Sequence, residues 1–252
     1  TRRMLSDERW CAAYTAAARR AVAERGGRVL VIGLGSSAPA LAAARAGARE
    51  VVGVERADKF AELMRAQAAA LGALVAVNAG FFSSSGSVSA VVDEGELVCC
   101  GPSAVNRQGT PYPVTRAAIG FDHEGRADCA WTYCFDRAVY AFEEPLGNAL
   151  GAPAQAPTPD KGTPWQPHEL LGAGPMLVAK GALHNTEVAE CFQSLGGTSR
   201  HPRTAVGWTQ EGQLLLLVVD GRSATSRGAT LNEAAAILLA HGAVEALNFD
   251  GG

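Results

Sequence analysis

At Gly72 the chain changes character, and that change limits its fold more than any other feature. Upstream, alanine- and arginine-rich stretches carry apolar residues at helical spacing; downstream, short apolar runs are separated by glycine turns. Two units are therefore expected, residues 1–72 and 73–252. In the first, a helix is predicted over Glu8–Arg25, stopping at Gly26-Gly27. A buried-type strand (Arg28–Ile32), a tight turn (Gly33–Ser37), a short helix (Pro39–Ala46), a second strand (Glu50–Glu55) and a helix (Ala57–Leu71) follow. That order is βαβα, a partial Rossmann-like unit of the α/β class.

The second unit reads as strands. Leu74–Val77 leads into Asn78-Ala79-Gly80-Phe81-Phe82. Val88–Val92 and Glu96–Cys99 form a hairpin across Asp93-Glu94-Gly95, and Ala117–Asp122 with Arg126–Cys134 form another across His123-Glu124-Gly125. Six prolines between Glu144 and Pro167 cannot donate to a central sheet, so a long surface loop is expected there. Strands resume at Pro175–Ala179, Ala205–Thr209 and Gln213–Val219, the last apolar enough to be buried on both faces. Thr230 and Glu233 have capping-box spacing before a helix whose apolar face ends at Gly242. A strand over Ala243–Asn248 then delivers Asp250 to its end.

Composition narrows the partners. With 48% hydrophobic and 19% charged residues, no stretch carries the ~18 unbroken apolar residues that span a bilayer, so a soluble protein without a membrane span is expected. A net charge of -3 without a basic run gives no footprint for nucleic acid. The six cysteines (Cys11, Cys99, Cys100, Cys129, Cys134, Cys191) include no Cys-x-x-Cys pair and no histidine at zinc spacing, so no metal is expected, while disulfides and oligomeric state stay open. No charged-then-apolar leader precedes Thr1, so no signal peptide is expected.

Chemistry concentrates near the C-terminus. Asp220 and Asp250 each follow an apolar strand and precede glycine; if those strands are neighbours, both carboxylates meet at one sheet edge as an acid/base or nucleophile pair. An Asp-Gly turn explains each equally well. Arg203 and Arg222 offer forked, permanently charged donors to an anion, or serve as strand-end ion-pair partners. Glu233 is a cap or a third catalytic carboxylate. Asn78 suits a ligand hydroxyl or the orientation of a carboxylate, and Gly80 permits close backbone approach. Phe81 and Phe82 read as core, His201 as an extended residue before Pro202, and Cys191 has no base beside it.

Two resemblances rest on these residues. Residues 4–72 resemble the start of a class I S-adenosylmethionine-dependent methyltransferase of the protein arginine methyltransferase branch, through Met4-Leu5-Ser6-Asp7, Val29–Gly35, Ala44–Ala48 and Val52-Gly53-Val54-Glu55. This implies S-adenosylmethionine bound by Gly33, Gly35 and Glu55, the last reaching the ribose. Residues 74–252 resemble the phosphodiester glycosidase family in six ordered motifs: Asn78–Phe82, Gly174–Val178, Pro202–Gly207, Asp220-Gly221-Arg222, Thr230-Leu231-x-Glu233 and Leu247–Gly252. This resemblance implies an α+β fold and hydrolysis of a sugar 1-phosphodiester or phosphoglycan of the N-acetylglucosamine type, without a cofactor. It also implies Asp220, Asp250 and Glu233 as catalytic residues, and Asn78, Gly80, Arg203, Thr204, Arg222, Asn248 and Gly251 as substrate-binding ones. A secretory or extracellular setting is implied as well, and the family pattern continues past Gly252, so a domain truncated at its C-terminus is expected. The alternatives are the methyltransferase and an inactive carbohydrate-binding or fused remnant.

Overall fold

The computed structural model describes residues 28–32, 50–54, 77–83, 86–192 and 198–251. The fold expected from the sequence, a partial Rossmann-like α/β unit followed by an α+β domain, is corrected: the described chain is predominantly β, with one α-helix. Burial alternates with period two in runs such as Ala90–Asp93 and Glu169–Gly172. Glycines with positive φ at Gly95, Gly109, Gly125 and Gly212 turn the chain back within a few residues. Apolar content that an α+β reading divides between helices and sheet therefore goes into strands. The helices predicted over 8–25, 39–46 and 57–71, and the strand over 74–77 apart from Val77, lie outside the described residues.

Strands β1 (Arg28–Ile32) and β2 (Glu50–Val54) pair in parallel, Arg28 opposite Glu50. After the two-residue strands β3 (Phe82–Ser83) and β4 (Gly86–Ser87) come β5 (Ala90–Asp93) and β6 (Glu96–Cys100), joined as the predicted hairpin. β7 (Ala104–Arg107) and β8 (Thr110–Pro113) make a separate hairpin that the sequence did not announce, because Pro111 and Pro113 argue against a strand. β9 (Arg116–Phe121), β10 (Ala127–Phe135), β11 (Ala138–Phe142), β12 (Thr163–Pro164) and β13 (Glu169–Gly172) complete an antiparallel seven-stranded sheet ordered β12-β11-β10-β9-β13-β5-β6. The proline-rich stretch before β12 is irregular apart from one turn of 3-10 helix at Pro159–Lys161.

β14 (Met176–Ala179), β15 (Ala182–Leu183), β16 (Arg203–Thr209), β17 (Leu214–Val219) and β18 (Ala243–Phe249) form a second antiparallel sheet ordered β15-β14-β18-β16-β17. Helix α1 (Leu231–Ala240) opens on the predicted capping box: Thr230 Oγ1 accepts from Glu233 N at 3.1 Å, and Glu233 Oε2 accepts from Thr230 N at 2.8 Å. Its buried face (Leu231, Ala234, Ala235, Leu238) packs on Leu177, Ala205, Leu215 and Ala246. The opposite face of this sheet (Met176, Val206, Leu247, Phe249) meets Ile119, Trp131 and Phe142 of the larger sheet. The result is sheet on sheet with a helix behind. β17 is the outer strand rather than one buried on both faces, and most of its side chains are half-buried.

Candidate active site

Strand β16 lies between β17 and β18 and is antiparallel to both, with Arg203 opposite Val219 and Thr204 opposite Phe249. β17 and β18 therefore run the same way and end at the edge where β16 begins. Asp220, Asp250 and Arg203 are brought to that one edge, although β17 and β18 are not the neighbours that the expected carboxylate pair called for, since β16 separates them. Asp220 Oδ1 accepts from Gly221 N at 2.9 Å, and its carbonyl accepts from Ser226 Oγ at 2.6 Å, so the side chain is braced by its own turn. Asp250 N donates to the Ala79 carbonyl at 2.9 Å, which fastens the Asn78–Phe82 segment to the end of β18.

Two glycines owe their place to packing. A Cβ on Gly221 would sit 2.6 Å from Pro202 N, and one on Gly251 would sit 2.3 Å from the Pro202 carbonyl oxygen. The His201–Arg203 backbone thus passes between two chain segments that admit no side chain. Gly80 is similar: its Cβ would fall 2.5 Å from the Gly172 carbonyl oxygen. Close approach of protein backbone accounts for all three.

Arg203 is buried, and donates from Nε to the Ala229 carbonyl at 3.0 Å and from Nη2 to the Ser199 carbonyl at 3.2 Å. His201 exchanges backbone hydrogen bonds with Ala229 at the same point. Burial, followed by the positive charges of Arg203 and Arg222, lowers the His201 pKa from its ordinary value, so the imidazole is neutral at pH 7. Arg222 is exposed just after the Asp220 turn, with a left-handed φ of 51°. The edge therefore carries two carboxylates, two guanidiniums and a neutral imidazole.

The other predicted residues are placed differently. Glu233 is held in the cap: Oε2 takes the Thr230 N–H and Oε1 takes Arg200 Nη2. The Thr230 N–H, then Arg200, lower its pKa. Asn248 is buried, and its Nδ2 donates to the carbonyls of Gly174 at 3.2 Å and Phe249 at 2.7 Å, tying the entry of β14 to β18. Thr204 is buried at the face between the sheets. Asn78 is half-buried beside the Ala79 anchor. Gly33, Gly35 and Glu55 lie outside the described residues. Among the described residues there is no cluster of three potential metal ligands, no helix long and apolar enough to cross a membrane, and Cys99, Cys100, Cys129, Cys134 and Cys191 are free thiols.

Sequence reasoning missed a second charged centre. Glu190 is fully buried; Oε2 accepts from Ala117 N at 2.8 Å, and Oε1 accepts from Trp131 Nε1 at 3.0 Å, Met176 N at 2.9 Å and Thr186 Oγ1 at 2.5 Å. Burial raises its pKa, opposed by those hydrogen bonds and by Arg116. Arg116 lies over the Phe192 ring at 3.7 Å from its centroid, and burial, set against the Glu190 charge, brings its pKa down to about 10. One signal was available: Arg116-Ala117-Ala118-Ile119-Gly120 repeats the pattern of Arg203-Thr204-Ala205-Val206-Gly207. Nothing local distinguishes Glu190, whose partners are distant in sequence.

Residues 140–252 match the family model described as phosphodiester glycosidase, a span that holds every predicted site residue from Arg203 to Gly251 and leaves out Asn78 and Gly80. The N-acetylglucosamine-1-phosphodiester α-N-acetylglucosaminidase of Bos taurus is 39% identical over 93 residues, covering 33% of this chain and 18% of that enzyme. A prophage-derived uncharacterized protein of Bacillus subtilis strain 168 is 40% identical over 53 residues, covering 21% of this chain and 8% of its own. The zebrafish N-acetylglucosamine-1-phosphodiester α-N-acetylglucosaminidase catalytic domain, auto-inhibited by its pro-peptide, is similar with a TM-score of 0.43 at 21% identity, covering 69% of this chain and 50% of that one. The matches span less than a fifth of the length of the curated relatives. The C-terminal 113 residues, from Tyr140 to Gly252, are thus those that match the phosphodiester glycosidase family.

Proposed function

We propose that residues 73–252 hydrolyse the glycosidic bond of a sugar 1-phosphodiester of the N-acetylglucosamine type, with Asp220 and Asp250 as the carboxyl pair. The observation that carries this reading is the register of β16 with both neighbours, which sets the two aspartates on either side of Arg203 at one sheet edge. The family match over residues 140–252 and the activity that names the cattle enzyme support the same chemistry.

In this reading one aspartate activates water or attacks the anomeric carbon, and the phosphate monoester leaves with the bonding electrons of the C–O bond. The other aspartate orients the substrate or protonates the leaving oxygen. A phosphate leaves readily as an anion, so protonation is the lesser demand. The exposed Arg222 meets the single charge of the phosphodiester, while Arg203 holds the edge through its carbonyl contacts. Neutral His201 accepts a hydrogen bond there.

The test is reducing-sugar release from an N-acetylglucosamine 1-phosphodiester by the wild type, Asp220→Asn and Asp250→Asn. Each substitution is expected to lower kcat by roughly 10²–10⁴, the usual contribution of a positioned acid or base, with thermal stability retained. Full activity in either variant overturns the pair. Binding of the sugar phosphodiester without turnover by the wild type would instead favour the carbohydrate-binding remnant. S-adenosylmethionine binding by residues 1–72 is a separate proposal that rests on their sequence motifs, and titration of the intact chain with S-adenosylmethionine tests it.

A further inference from the structure

Next to the missed charged centre lies a cavity of about 300 Å³, lined among others by Phe81, Val105, Arg107, Arg116, Cys191 and Phe192. None of Asp220, Asp250, Arg203 or Arg222 lines it. Its charge is unbalanced in a way that hydrogen-bond accounting exposes. Glu190 is the neighbouring buried carboxylate, and its two oxygens already take four donors from Ala117, Trp131, Met176 and Thr186. A carboxylate has about four lone-pair sites, so it neutralises Arg116 by charge while its acceptor capacity is spent. Arg107 adds a second guanidinium, whose Nη2 donates to the Cys191 carbonyl. The Nε atoms of both arginines are buried without a hydrogen-bond partner among the described residues. Two cations against one anion leave a single positive charge and two unmet donors, a costly arrangement in an apolar setting. Two aromatic rings also line it: Phe81 and Phe192 lie 5.3 Å apart, and Phe192 stacks on Arg116.

We infer that this cavity binds an organic anion, a carboxylate or phosphate ester whose oxygens take the Nε–H donors of Arg107 and Arg116 while its apolar body lies against Phe81 and Phe192. The volume is at the small end for ligand sites and suits one ring with one anionic group. The inference does not depend on the hydrolytic reading, since it uses none of the residues assigned to that chemistry.

Calorimetric titration of the intact chain tests it with four probes: benzoate, phenyl phosphate, inorganic phosphate and benzyl alcohol. One of the two aromatic anions is expected to bind one to one, at least about tenfold more tightly than benzyl alcohol, since a hydrogen bond to a charged group is worth that factor. Whichever aromatic anion is tighter identifies the source as carboxylate or phosphate. Arg107→Gln should weaken that anion by at least about tenfold. Val105→Trp, which fills the cavity from its rim, should abolish binding without touching either charge. Equal binding of benzyl alcohol, or unchanged affinity in both variants, overturns the inference. Inorganic phosphate binding as tightly as phenyl phosphate overturns its apolar half.

Discussion

Arg116 and Arg203 invite comparison because the chain makes them alike. Each opens an inner strand of its sheet, β9 at the middle of the larger one and β16 beside the outer strand of the smaller, and each is followed by small residue, alanine, β-branched residue and glycine. Both glycines are forced by packing: a Cβ on Gly120 would lie 2.5 Å from the Trp165 ring, and one on Gly207 would lie 2.6 Å from the Glu245 carbonyl oxygen. Their surroundings differ. Arg203 donates to the carbonyls of Ala229 and Ser199 and so ties the loop before β16 to the loop before α1. Arg116 instead faces a buried carboxylate and a phenyl ring beside a cavity. The local pattern specifies the strand, and residues distant in sequence decide whether its first arginine fastens backbone or carries charge into a pocket.

The largest expected break in that comparison is Arg116→Met. It removes the charge that offsets the burial of Glu190 and the guanidinium stacked on Phe192, for which the largest loss of stability in this set is expected. Adding Glu190→Gln should recover at least ~1 kcal/mol of this, a coupling read from a double-mutant cycle in urea. Additive effects would show that Arg116 does not neutralise Glu190. Arg203→Met should cost less, about 2–3 kcal/mol for two charge-assisted bonds to carbonyls, and no carboxylate substitution near it should compensate. If the Arg203 loss is instead rescued by neutralising a nearby acid, the two arginines do the same job after all.

Much of the strand layout was legible because its signals are local. Asp93-Glu94-Gly95 and His123-Glu124-Gly125 turn where expected, since glycine at positive φ fixes a hairpin within a few residues. The Thr230–Glu233 box marked the start of α1 for the same reason. The edge bearing Asp220, Arg203 and Asp250 was partly legible: the Asp-Gly pairs named it, and only the strand order joined them. What stayed hidden depends on contacts across the chain. Glu190 receives donors from Ala117, Trp131 and Met176, and no spacing announces such a set. The predicted both-face burial of Gln213–Val219 failed because apolar content does not reveal that β17 is outermost.

Two glutamates extend the comparison to pH. Burial raises the Glu190 pKa, so the folded state holds that proton more tightly than the unfolded chain. The stability it contributes is fully present below the unfolded value of about 4.3 and is lost as pH rises through the raised folded value. Glu190→Gln should remove that decline, seen as a flatter urea midpoint against pH above about 4.3. Persistence of the same decline in the variant would assign it to another group.

Glu233 has the opposite sign and the smaller effect. The Thr230 N–H, followed by Arg200, lowers its pKa, so its contribution is present above the unfolded value and is lost as pH falls through the depressed folded one. Thr230→Ala removes the reciprocal bond and should cost about 1 kcal/mol. Glu233→Gln keeps an acceptor for the Thr230 N–H but loses the charge, so it should abolish the acid sensitivity of α1 while leaving kcat on a sugar phosphodiester unchanged. A fall in kcat with the helix intact would make Glu233 the second carboxyl of the reaction and move the chemistry from the end of β17 or β18 to the start of α1. The outcome turns on a residue whose two oxygens are both already engaged, one by backbone and one by Arg200, which is how a cap is built rather than a proton donor.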